Sequence, residues 1–290
     1  MEPKKYFRKI GGGFLEVWPT EDGDPILFYP GTMLAPGHYA VMLRALAEAG
    51  FTVASPHFAG HGLARRNRLD TFRSMLDECL EAAAYLRDLY GKVAVAGHSQ
   101  GGILALAQAG ESPDLSASFS ICAAFPHREE AIDLTRFAPL RARRERLLGT
   151  IVKLAARFPS LPIPLPFYLP LGKLLEGKRE PVAMGRDEGR ISYPLKFLAS
   201  LFSAKLSEDL LCPYYLLSAI NDGLFTRKLT ETVFDAIKAP IKELIWLPDG
   251  GHLAPLNPAL ASFMARYMAS VCSGLGFSLN LREAAREAAR

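Results

Sequence analysis

Long apolar runs, clustered cysteines and a strong charge of either sign are all missing from this 290-residue chain. No stretch reaches the ~20 apolar residues that a membrane-spanning helix needs, because prolines and charges interrupt every long apolar segment. The four cysteines, Cys79, Cys122, Cys212 and Cys272, are scattered, with no C-x-x-C pair and no histidine cluster beside them. That spacing indicates neither a zinc site nor a disulfide framework, so buried free thiols in a reducing compartment are expected. Lysine and arginine number 34 against 30 acidic residues, and the formal charge of +4 reads as solubility. No lysine-rich tail or aromatic-spaced basic strip suggests nucleic acid. The basic opening Met1 to Lys9 runs into Ile10-Gly11-Gly12-Gly13 instead of an apolar stretch, so it is not read as a signal peptide. These absences point to a soluble, cytoplasmic protein. There is no internal repeat, and the alanine-rich stretch Leu281 to Arg290 reads as a helical or frayed terminus without chemistry.

What is present is apolar material, 49% of the chain, enough for one large domain or a core with an insertion. β-rich runs alternate with helical periodicity in the first half: Phe14 to Trp18, Ile26 to Tyr29, Thr52 to Ser55 and Val93 to Ala96. Between the last two, Phe72, Leu76, Leu80, Ala83 and Leu86 recur at helical spacing within Leu69 to Tyr90. The alternation resumes with Tyr214 to Leu217, a helix over Leu229 to Ile237, a strand over Glu243 to Trp246 and a helix over Leu260 to Val271. Strands alternating with helices imply a mostly parallel sheet.

Residues 127–207 break the pattern and read as a cap inserted between two parts of a sheet domain, 1–126 and 208–290. An amphipathic helix over Arg141 to Phe158 is followed by a proline-punctuated stretch to Pro170, where helix interiors and central strands are both forbidden. Tyr193 to Leu198 looks helical again. The apolar content of this segment needs a partner. Its arginines, Arg141, Arg143, Arg144 and Arg146, read first as a solvated helix face and second as a weak membrane-surface contact.

Gly97-His98-Ser99-Gln100-Gly101 lies between the run Val93 to Ala96 and the helix-like run Ile103 to Ala107. A serine with glycines two positions to either side, between strand and helix, is a nucleophile elbow, where larger residues would collide with the crossing strand and helix. A serine hydroxyl needs a base and a group that orients the base. His252 follows the strand Glu243 to Trp246, and Asp222 follows Tyr214 to Leu217. Asp249, Asp187 and Asp209 compete for the acidic role; Asp222 is preferred because a strand-end Asp-Gly can aim its carboxylate at a histidine on the adjacent strand's loop. None of the other histidines has metal-ligand spacing. His98 packs under the turn, His61 holds its loop, and His38, His57 and His127 read as surface groups.

The order Ser99, Asp222, His252 and the elbow together make the chain resemble the α/β-hydrolases, in the style of the capped lysophospholipase and monoglyceride-lipase-like serine hydrolases. The resemblance runs from the strand near Phe14 to the helix ending near Val271. It implies an eight-stranded, mostly parallel sheet with Ser99 after the fifth strand, Asp222 after the seventh, His252 after the eighth, and the cap between the sixth and seventh. Tyr29-Pro30-Gly31-Thr32-Met33 stands where that family has a His-Gly pair before its oxyanion residue, with proline replacing the histidine. The implied oxyanion donors are the backbone N–H groups of Thr32 and Gln100, with Met33 as the alternative to Thr32. Pro56-His57-Phe58-Ala59-Gly60-His61-Gly62 resembles the family's G-H-G loop without its preceding acid. Met33, His98, Phe167 and Leu253 are the candidates for substrate contact. The implied activity is hydrolysis of a carboxylic ester with an apolar part through an acyl-enzyme, with no cofactor and no metal. A thioesterase, an amidase or aminopeptidase, a carbon–carbon bond hydrolase and a non-catalytic binder of apolar ligands are the alternatives.

Overall fold

The computed structural model describes residues 5–175 and 192–279. Asp187 and Leu281 to Arg290 lie outside them. In chain order, β1 (Tyr6–Ile10) and β2 (Gly13–Trp18) form a hairpin, then β3 (Pro25–Tyr29), α1 (Ala40–Glu48), β4 (Thr52–His57), α2 (Phe72–Tyr90), β5 (Ala94–His98), α3 (Gln100–Ala109) and β6 (Ala117–Ile121) alternate. Next come α4 (Arg144–Arg157), β7 (Pro162–Pro164), the short helices α5 (Leu165–Tyr168) and α6 (Leu171–Leu175), β8 (Ser192–Pro194) and α7 (Leu195–Ser203). The alternation resumes with β9 (Tyr214–Ala219), α8 (Arg227–Ala236), β10 (Lys242–Leu247) and α9 (Pro258–Gly274).

Eight strands form one sheet in the order β1-β2-β4-β3-β5-β6-β9-β10, antiparallel at β1, β2 and β4 and parallel from β4 onward. β3, β4, β5, β6 and β9 are buried along their whole length, which is why they read as continuous apolar runs. From β3 the chain crosses outward to β4, and from β5 it crosses in the opposite direction to β6. Right-handed crossovers then send α1 to one face and α3 to the other. The reversal places a crevice between β3 and β5 at the sheet's carboxyl edge, where open α/β sheets bind ligands. Tyr29 is in register with Gly97, so the turns leaving these two strands lie side by side.

Local chemistry accounts for the element ends. Thr71 caps α2 by accepting the Ser74 N–H at 3.1 Å, and Gly91 closes it at φ +81°. Between β6 and β9 the prolines act as their geometry requires: β7 and β8 form only a two-stranded ribbon, and Pro166 sits in the first turn of α5. Tyr193 and Pro194, expected to be helical, instead belong to β8. A proline disfavours the α region for the residue before it, so α7 starts only at Leu195. α7 packs against α4 and α2, tied to the latter by the Phe72 N–H on Ser200 Oγ at 2.7 Å.

The arginine run divides. Arg141 reaches Glu129, Glu130 and Asp133, and Arg144 is buried and donates to the carbonyls of Pro126 and Phe202, while Arg143 and Arg146 are exposed. His57 is also not a surface group. It is buried, with Nε2 donating to Glu16 at 2.9 Å and Nδ1 accepting the Leu63 N–H at 3.2 Å.

Candidate active site

Ser99 is the single residue between β5 and α3, and it holds φ +57°, ψ −118°. A side chain rarely adopts such backbone angles unless its surroundings enforce them. Here a Cβ at Gly97 would lie 2.1 Å from the Gly101 carbonyl oxygen, and one at Gly101 would lie 2.1 Å from that of Tyr29. The two glycines let β5, α3 and the end of β3 cross closely enough to hold the serine up.

Ser99 Oγ is 3.1 Å from His252 Nε2, and His252 Nδ1 is 3.0 Å from Asp222 Oδ2. A carboxylate only accepts, so Nδ1 carries the proton and Nε2 faces the serine as an acceptor. Asp222 is wholly engaged. Its Oδ1 accepts the N–H groups of Leu224 and Phe225 at 2.7 and 2.8 Å, and its Oδ2 also accepts the Cys122 S–H at 3.1 Å. Burial works against the charge, but the bonds from His252, Cys122 and Phe225 outweigh it and hold the carboxyl at about 2. Phe225 lies parallel to the imidazole, 2° between planes. Of the competing acids, Asp249 is exposed and turned toward Asn221 Nδ2 at 2.7 Å, and Asp209 pairs with Lys238 at the surface.

A second set of bonds joins the three loops. His98 Nε2 donates to the His252 carbonyl at 2.8 Å, so its Nδ1 accepts the Tyr39 O–H at 2.6 Å, and Tyr39 Oη in turn accepts the Gly31 N–H at 3.0 Å. Burial, reinforced by the neighbouring His252, pushes His98 down to about 3, so it stays neutral and this bonding order is fixed. The N–H of Met33, at φ +64°, is taken by Tyr193 Oη at 2.8 Å. Between them, neither the Thr32 N–H nor the Gln100 N–H has an acceptor among the described residues.

These groups open on a cavity of about 260 Å³ whose wall includes Thr32, Ser99, Gln100, His252 and Leu253, closed by Leu34, Ile103, Leu165, Leu201, Phe202 and Leu224. Two substrate-contact expectations need correction. Met33 is fully buried behind the turn and does not line the cavity; with its N–H bonded to Tyr193 it is no longer an alternative donor. Phe167 is 61% exposed and packs on Phe137, because α5 turns its neighbours Leu165 and Tyr168 toward the cavity. His98 borders the cavity, but both its ring nitrogens are committed to the protein. His98, Cys122 and His252 also bring potential metal-ligating atoms within 4.8 Å of one another, yet each belongs to the hydrogen-bonded network just described. Tyr39, Cys122 and Tyr193 have no sequence signal: each reaches the site through a contact distant along the chain, 160 positions in the case of Tyr193 and Met33.

The sheet order, the elbow after β5 and the loops after β9 and β10 define an α/β-hydrolase fold. The sequence profile of the alpha/beta hydrolase family matches residues 26–261, and the chain belongs to that family. No curated protein sequence matches it. Solved structures share the fold at low identity. A carboxyl esterase from Bacillus coagulans in complex with glycerol superposes with a TM-score of 0.70 at 13% identity, over 94% of this chain and 98% of that one. A soluble variant of monoglyceride lipase from Saccharomyces cerevisiae, in complex with a substrate analog, gives 0.67 at 13% over 94% and 96%. A thermophilic esterase from Thermogutta terrifontis gives 0.61 at 18% over 93% and 99%. Among the described residues, no helix is long and apolar enough to cross a membrane.

Proposed function

We propose that the chain is a serine hydrolase of carboxylic esters with an apolar acyl or alkyl part. The observation that carries this reading is the unbroken relay from Ser99 Oγ through His252 to Asp222 at 3.1 and 3.0 Å, opening on an apolar cavity. Ser99 attacks the ester carbonyl as His252 Nε2 takes its proton. Asp222, held ionised, keeps the imidazole in the required tautomer and supports the imidazolium. The Thr32 and Gln100 N–H groups receive the tetrahedral oxyanion, the latter at the positive end of α3. His252 then protonates the leaving alcohol, the acyl-enzyme forms on Ser99, and water drawn by the same imidazole releases the acid.

Of residues 127–207, those described, 127–175 and 192–207, serve as the cap. The lining supplied by Leu134, Leu165, Leu201 and Phe202 favours an apolar acyl chain and excludes water from the charged intermediates. The names of the yeast lipase and the two esterases agree with this substrate class.

The test is labelling of the whole protein by a fluorophosphonate, followed by a panel of p-nitrophenyl esters of increasing chain length, acyl thioesters and amino-acid anilides. Labelling of wild type but not Ser99→Ala, with fastest turnover on esters, is expected. Folded wild type that resists the probe would identify a binding protein; thioester or anilide preference would move the substrate class.

A further inference from the structure

The turn after β3 is held from both sides by tyrosine hydroxyls. Tyr39, from the sheet edge, takes the Gly31 N–H, and Tyr193, from β8, takes the Met33 N–H at 2.8 Å, so that of the three the N–H of Thr32, a cavity-lining residue, is the one with no acceptor among the described residues. We propose that Tyr193 is a positioning residue for the oxyanion-binding turn: its hydroxyl, anchored on His61, sets the direction of the Thr32 N–H. This rests on the ester-hydrolase reading above.

The anchoring is specific in its proton order. His61 Nδ1 donates to the Ala59 carbonyl at 3.1 Å, and in the neutral imidazole Nε2 is then an acceptor for the Tyr193 O–H at 3.0 Å. The tyrosine oxygen therefore presents a lone pair to Met33. Both Tyr193 and His61 are buried, at 1% and 2% exposure, and the tyrosine ring packs on Phe197 at 4.6 Å. Neither residue lines the cavity, so the hydroxyl acts through the backbone and not on substrate. Met33 needs such a hold, because a non-glycine residue at positive φ keeps that conformation only where its surroundings enforce it. A rotation of the 32–33 peptide would turn the Thr32 N–H away from the position a developing oxyanion occupies, and donors act there only within a few tenths of an ångström. The loop after β4, whose His61 otherwise looks purely structural, thus joins β8 in holding the reacting edge of the sheet.

The experiment is Tyr193→Phe in the full-length protein, which keeps the ring and removes the hydroxyl. Readouts are kcat and KM on a p-nitrophenyl ester and the inhibition constant of an alkyl trifluoromethyl ketone, which forms a tetrahedral adduct on the serine. Losing an oxyanion donor outright costs about 100-fold or more in kcat, so loosening the turn that carries one should cost about 10-fold. The ketone should bind weaker by a similar factor, with KM changed less than about 2-fold. Unchanged kcat, a loss confined to KM, or unchanged ketone affinity would overturn the proposal. If Tyr193→Phe does not fold, 3,5-difluorotyrosine at position 193 keeps the shape and weakens the oxygen as an acceptor. It should lower kcat in the same direction by a smaller factor, and equality with wild type would again overturn the proposal. Wild type without esterase activity would sink the functional reading itself; active wild type matched by the variant would sink only this inference.

Discussion

The carboxyl edge of the sheet and the segment above it are built differently. In β5 all five residues are buried, and the polar groups at its end, His98 and Ser99, are tied into the bonding that joins β3, β9 and β10. In α4, by contrast, only Arg144 and Ala155 are buried, and Val152 and Leu154 on that helix and Phe158 and Phe167 beyond it are exposed. A strained backbone such as that of Ser99 persists only on a scaffold that over-determines it, which the sheet does. The segment above contributes apolar wall and the Tyr193 hydroxyl that holds the turn after β3, and its outward face leaves large apolar side chains exposed.

That contrast breaks first at the serine. Ser99→Ala should cut ester turnover by about 10⁴-fold or more while leaving the unfolding midpoint in place, measured by the ester assay and urea denaturation. Asp222→Asn comes next, with kcat reduced about 10⁴-fold through the wrong imidazole tautomer, whereas Asp249→Asn should match wild type. An equal loss from both would mean that the acid is not chosen by the geometry seen here. The two regions can then be compared directly for stability. Phe28→Ala, on β3, should cost about 3–5 kcal/mol, and Phe167→Ala, on α5, less than about 0.5 kcal/mol. A large loss from Phe167→Ala would show that the outward face is packed after all.

Glu78 sharpens the comparison within the sheet domain. Its carboxylate accepts the Ala59 N–H at 3.1 Å, but burial, the largest influence, raises it from 4.5 to about 7. The folded protein therefore holds this proton more tightly than the unfolded chain does. Its stabilising share is complete below about pH 4.5 and is lost as pH rises through about 7. Glu78→Gln should match wild type near pH 4 and exceed it by up to about 3 kcal/mol near pH 8, read from urea curves at both values. A pH-independent difference would count against the buried charge. The smallest effect is expected at Cys122, whose thiol is a weak donor to an Asp222 already held by His252 and two N–H groups. Cys122→Ala should lower kcat by less than about 10-fold and Cys122→Ser should recover it.

Much of this is legible without coordinates wherever a short stretch carries its own reason. The glycines around Ser99 and the alternation of buried strands with amphipathic helices are local patterns, and the order of serine, acid and histidine is read by placing each candidate at the end of such a strand. The breaks occur where the cause is distant. Phe167 and Leu165 belong to the same apolar stretch, and only the turn of α5 decides which of them faces the cavity. Tyr193 reads as helical from its neighbours, and the constraint imposed by Pro194 together with pairing to Ile163 overrides that reading.

By itself, then, the chain determines its layers, its elbow and the identities of the groups available at the sheet edge, because secondary-structure period and turn sterics act over a few residues. Which acid meets His252, which of the N–H groups from Gly31 to Met33 has no acceptor among the described residues, and which tyrosines secure that turn are decided only when residues up to 160 positions apart come within 3 Å. Hydrogen bonds of that kind have a direction and a distance but no sequence period, so they exist only in the folded arrangement.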